Sequence, residues 1–160
     1  MFAKPQAEHE WLSKFVGNWT AETECVMGPD QPPSRSTSQI AVRSLSGMWI
    51  VAEFTGDMPD MGPWTSLMTL GYDPIRGQYV GTFIGSMMNH LWLYAGNRQD
   101  GGNRLVLDTE GPKFDGSVGL AKYQDIVEWH NDDLWTLSSR VQQADGTWHD
   151  FMHAEHKRQK

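Results

Sequence analysis

Phe15-Val16-Gly17-Asn18-Trp19 is the stretch from which the fold can be read. On its N-terminal side Ala7, Trp11, Leu12 and Phe15 fall at spacings of three and four. Glu8 and Glu10 stand in the first turn, where the positive end of a helix dipole favours acidic side chains. The pattern predicts one short amphipathic helix over about 5–15. From Gly17 onward the helical period vanishes. Period-two segments rich in Trp, Val, Ile, Thr and Tyr follow, broken by turn-forming residues about every ten positions. Gly17-x-Trp19 is the joint between a helix and a chain that is otherwise expected to be antiparallel sheet.

Ten strands are expected, over roughly 18–27, 35–46, 48–56, 64–72, 78–86, 90–97, 103–109, 121–131, 134–143 and 147–157. Ser46-Gly47, Asp73-Pro74-Ile75-Arg76-Gly77, the run from Asn97 to Gly102, Asn131-Asp132-Asp133 and Ala144-Asp145-Gly146 carry the turn chemistry between them. Closure removes the exposed edges of so long a meander. An all-β, single antiparallel up-and-down β-barrel is therefore preferred over a sandwich, with the N-terminal helix plugging one end. A chain of 160 residues makes one domain, 1–160, and can bury a core without disulfides or structural metal.

Composition narrows the partners. A net charge of -7 with only 13 Lys and Arg argues against nucleic acid, which needs a basic stripe to displace counterions, and Lys157, Arg158 and Lys160 are too small a cluster to supply one. No window approaches the roughly 20 apolar residues of a membrane-spanning helix, and the N-terminus has no apolar targeting core, so no membrane partner and a cytoplasmic location are expected. Cys25 is the only cysteine. It can form no intrachain disulfide and reads as an inert, half-buried thiol.

The helix, Gly17-x-Trp19, Leu70-Gly71-Tyr72-Asp73, the strand Tyr79-Val80-Gly81-Thr82-Phe83-Ile84-Gly85-Ser86-Met87, Gly96 and a last strand ending at Arg158 together resemble the bacterial domain of unknown function 1579. The resemblance covers nearly the whole chain. It departs at Phe83-Ile84-Gly85, where the family commonly carries Trp-Ile-Asp, so a polar side chain is missing here. The resemblance implies a calycin-like barrel, related in shape to lipocalins and fatty-acid-binding proteins, and implies no activity.

In barrels of that shape the Trp packs across the narrow end under the helix, and a cation from the last strand stacks on its ring or bonds to nearby backbone; Arg158 has the matching place and parity. If Trp19 faces inward, so do Ala21, Thr23, Cys25 and Met27, while Thr20, Glu22 and Glu24 face water. On the last strand the same alternation groups Met152, Ala154, His156 and Arg158, against His149, Phe151, His153 and Glu155.

With one end plugged, the connections near 27–35, 56–64, 86–90, 110–121 and 143–147 lie together at the other. Five of the nine methionines map there, Met27, Met58, Met61, Met87 and Met88, joined by Trp64, Asn89, His90, Phe114 and Trp148. Methionine suits apolar surfaces that must accommodate varied shapes. The expected site is a barrel mouth built by Met27, Met58, Met61, Trp64, Met87, Met88, His90 and Trp148, admitting a small apolar or aromatic ligand. The alternative is a non-catalytic structural or self-association module, with a filled barrel and a homodimer contact at the same patch.

Metal and cofactor readings have less behind them, and no cofactor is expected. Met58-x-x-Met61, Met87-Met88 and His90 offer soft ligands for Cu(I), but at no repeated spacing. An inward His156, His130 or His90 could ligate haem, yet Trp19 is followed by Thr20-Ala21-Glu22 where haem-binding barrels of this shape carry a glycine-rich signature. His149 and His153 would stand about 13 Å apart on a strand, too far to share an ion. No catalytic motif occurs, and no catalytic residue is assigned. Glu53 beside Arg140, or Asp125, would be a candidate acid only if turned inward, whereas mid-strand carboxylates usually face solvent.

Overall fold

The computed structural model describes residues 2–28 and 30–160. Helix α1 (Ala7–Ser13) precedes ten strands: β1 (Gly17–Cys25), β2 (Ser34–Leu45), β3 (Trp49–Met58), β4 (Gly62–Asp73), β5 (Gln78–Gly85), β6 (Trp92–Arg98), β7 (Arg104–Pro112), β8 (Leu120–Asn131), β9 (Leu134–Gln142) and β10 (Trp148–Arg158). Each pairs antiparallel with the next, and β1 pairs with β10 as well, which closes the barrel. The strand order is that of an uninterrupted meander, as the turn signals require. The helix is shorter than expected, beginning after Gln6, whose extended backbone donates its N–H to His9 Nδ1 at 2.9 Å.

The plugged end is built around Trp19, which is wholly buried. Its indole N–H donates to the Phe15 carbonyl at 2.8 Å, tying the end of the helix segment to β1. Trp129 and Trp135 meet the ring edge-on, with centroids 6.2 and 6.1 Å away, and Phe15 packs edge-on against the same two indoles. These perpendicular contacts match the positive edge of one ring to the negative face of the next.

Arg158 pairs with Trp19 across the β1–β10 ladder and lies 4.1 Å above the centroid of its ring. Its guanidinium also donates to the carbonyls of Val16 and Lys14, at 3.0 and 3.2 Å. Gly17 makes room for this cation. A Cβ there would come within 2.5 Å of Arg158 Nη1, and the backbone at φ +138° is one that side-chain-bearing residues rarely adopt. Both the glycine and the tryptophan of Gly17-x-Trp19 are thus set by the same guanidinium.

Alternation holds along β1: Trp19 and Ala21 are buried, while Thr23 and Cys25 continue inward higher in the barrel. It fails on β10. The register against β9 shifts between Asp150 and Met152, and the extra residue of this bulge reverses which side chains face inward below it. Phe151, grouped by simple alternation with the outward residues, lines the interior instead, and Trp148 is turned outside. None of the helices among the described residues is long and apolar enough to cross a membrane.

Candidate functional site

Above the packed aromatic floor the barrel is hollow. A cavity of about 450 Å³ occupies the half distant from α1, within the roughly 300–1,000 Å³ common for small-molecule sites. Its deep walls are buried: Phe54, Met68, Tyr94 and Ala154 each expose 6% or less. Its rim is not, since Met27, Met87 and Met88 expose 37–49%. The cavity therefore opens through the loops that follow β1, β3 and β5.

Two tryptophans are seated at this end by glycines. Trp64 lies over Gly56, its partner across the β3–β4 ladder, and Trp92 covers Gly111 of β7; a Cβ on either glycine would overlap the indole. The Trp92 N–H reaches Met88 Sδ at 3.0 Å, and the ring meets Tyr123 edge-on at 5.0 Å. Phe114, from the loop between β7 and β8, leans edge-on against Tyr123 and Phe151. The rim is thus an aromatic and thioether collar.

Two polar features interrupt the apolar wall. Asp125 on β8 faces inward and accepts hydrogen bonds from Tyr94 Oη on β6 and Ser139 Oγ on β9, both at 2.5 Å. Its carboxyl pKa is raised because desolvation penalises the anion more than the two hydroxyl donors stabilise it. The Tyr94 phenol is pushed well above its usual value, by burial first and by the neighbouring carboxylate second.

His156 on β10 is the other feature. It stacks flat on Trp135 at 3.6 Å, with Phe54 edge-on at 6.3 Å, and its Nδ1 has no hydrogen-bond partner. Desolvation depresses its pKa to about 3, so the ring is neutral at physiological pH.

Residues 4–158 match the model of a family described as a protein of unknown function, DUF1579. The chain belongs to the DUF1579 family. No curated protein matches it. Among solved structures, the DUF1579 chain is similar to Rv2717c from M. tuberculosis, with a TM-score of 0.62 at 14% identity, covering 98% of this chain and 100% of that one. A redesigned β-barrel gives a TM-score of 0.52 at 11% identity, covering 98% and 100%. EF1p2_mFAP2b, solved bound to DFHBI, gives 0.51 at 11% identity, covering 96% and 100%. At these identities the likeness is one of fold.

Five of the eight residues expected at the mouth of the DUF1579 barrel do line the cavity: Met27, Met58, Trp64, Met87 and Met88. Met68 and Met152 from mid-strand join them, so six methionines among the described residues face this space. The other three expected residues lie elsewhere. Met61 is 72% exposed at the tip of the β3–β4 turn. His90 and Trp148 come together, but in a groove on the outer wall beside Leu93 and Lys122. There His90 Nε2 bonds to the Glu110 carbonyl at 2.9 Å, and Trp148, turned out by the β10 bulge, carries Arg140 5.0 Å above its ring. The thioether and imidazole set considered for copper is therefore not assembled.

Glu53 is exposed on the outer face of β3, and His130 bonds to Thr136 Oγ1 at an exposed position; neither faces the cavity. Asp125, a candidate acid only if turned inward, is the inward one. Its signal was present in the alternation Tyr123, Asp125, Val127, Trp129, which places it on the face of a buried tryptophan.

Proposed function

We propose that the barrel binds a small apolar or aromatic molecule, entered through the methionine and tryptophan collar and held in the cavity beneath it. The observation that carries this is the hollow half of the barrel: about 450 Å³ lined by methionine and aromatic side chains, where a filled barrel would have a continuous core. The filled interior required by a purely structural module is not present at this end. Methionine walls can adjust to ligands of differing shape, and apolar cavities of this kind take up apolar guests. One structurally similar chain, EF1p2_mFAP2b, was itself solved bound to DFHBI, which supports small-molecule binding by a fold of this shape without naming a ligand here. A cytoplasmic setting belongs to the same proposal, and there Cys25, its pKa raised by burial, stays an unreactive thiol in the cavity wall.

Titration with prodan, an uncharged naphthalene dye whose emission shifts to the blue in apolar surroundings, tests the proposal. The expected result is a saturable shift at one site per chain, weakened at least tenfold by Ala154→Trp, which drives an indole into the cavity from a wall position that is 3% exposed. Ser66→Phe, from the facing β4 wall, should do the same if the first variant folds poorly. No saturable shift, or equal binding by well-folded filled variants, would refute it.

A further inference from the structure

The charges around the cavity single out one class of ligand. Among the described residues that line it there is one carboxylate, Asp125, and no lysine or arginine. The only other group with basic character, His156, is held neutral by burial. Asp125 has no ion-pair partner among the described residues; its two hydrogen bonds come from uncharged hydroxyls. A carboxylate has about four lone-pair sites, and Tyr94 and Ser139 use one on each oxygen. The remaining capacity is open to the cavity, since Asp125 both lines that space and keeps part of its surface accessible.

A buried carboxylate without a cation is costly, and the cost is relieved either by a proton or by an incoming cation. The rest of the wall favours the second. Phe54, Phe83, Trp92, Tyr94 and Tyr123 present aromatic rings to the same space, and ring faces attract cations most strongly where water is excluded. A carboxylate head group finds the opposite: no basic side chain to meet it and an acidic group already in place.

Resting on the cavity reading above, we infer that the ligand is an aromatic or apolar molecule bearing a single amine, whose ammonium group docks on Asp125 while its apolar body fills the methionine-lined space. The site discriminates against carboxylates of the same shape.

Competition against bound prodan at pH 7 with three compounds tests this: 2-(1-naphthyl)ethylamine, 2-(1-naphthyl)ethanol and 1-naphthylacetate. The amine is expected to displace the dye at a concentration at least tenfold lower than the alcohol, with the carboxylate weakest. Asp125→Asn should abolish the preference for the amine over the alcohol, while Tyr94→Phe, which keeps the carboxylate, should retain the preference. Should Asp125→Asn fail to fold, the order of the three compounds on the unaltered protein decides by itself. Equal displacement by alcohol and amine, stronger displacement by the carboxylate, or a preference that survives Asp125→Asn overturns the amine assignment while leaving the cavity reading intact. Failure of prodan itself to bind overturns both.

Discussion

Trp19→Ala is expected to cost about 3–5 kcal/mol of folding stability, the usual range for deleting a large buried aromatic side chain. Trp19 is wholly buried, and its neighbours cannot collapse into the space without breaking their own arrangement, since Phe15 packs edge-on against both Trp129 and Trp135. The substitution removes the hydrogen bond that ties the Phe15 carbonyl to β1 and leaves Arg158 without its ring. For a domain of this size the loss corresponds to a fall in melting temperature of about 6–20 °C. Chemical denaturation should show a lower midpoint with the slope little changed. Met58→Ala at the cavity mouth, half-buried and remote from the plug, should cost far less while weakening prodan binding. A Trp19→Ala protein as stable as the parent would mean that the plug does not hold the barrel together.

Acid sensitivity through His156 is the second large effect. An unfolded histidine takes up a proton near pH 6.5, whereas in the fold it resists protonation until about pH 3. Between those values the unfolded state binds the extra proton, so stability is fully present above pH 6.5 and is lost as pH falls toward 3. The full window of about 3.5 units corresponds to a loss on the order of 5 kcal/mol at 1.36 kcal/mol per unit. Trp135 on β9 and Phe54 on β3, the rings packed against His156, offer it no charge, and His153 on the same strand opposes its protonation weakly.

Asp125 acts in the other direction. Its raised carboxyl pKa contributes stability at low pH that is lost as pH rises through the folded value, so the two groups partly offset each other over their shared range. The measurement is stability against pH for the parent, His156→Phe and Asp125→Asn. Phenylalanine should flatten the acid-side loss, and asparagine should steepen it. Parallel profiles for parent and His156→Phe would show that this ring does not govern acid sensitivity.

The frame of the molecule was legible because its signals are local. Period-two patterning and turn residues placed ten strands within three residues of their observed ends, and Gly17-x-Trp19 with Arg158 marked the closed end. Mid-strand chemistry was less legible. Whether Asp125 or Glu53 faces inward depends on counting parity from a residue whose direction is known; Trp129 supplies that for β8, and Glu53 turned out exposed on β3. The β10 bulge could not be counted at all. It leaves no glycine or proline in the sequence, yet it exchanges Phe151 for Trp148 at the cavity. His90 was misplaced for a related reason: it sits at the correct end, but its ring turns to the Glu110 carbonyl on the outer wall.

The barrel half away from α1 is an open apolar cavity. Diffraction from crystals of the protein held under xenon tests it most directly, because xenon enters apolar cavities and reports their position by its scattering. Xenon is expected inside the barrel among Phe54, Met68 and Met152. A barrel without internal xenon, its methionine side chains folded inward to fill the space, would contradict the account.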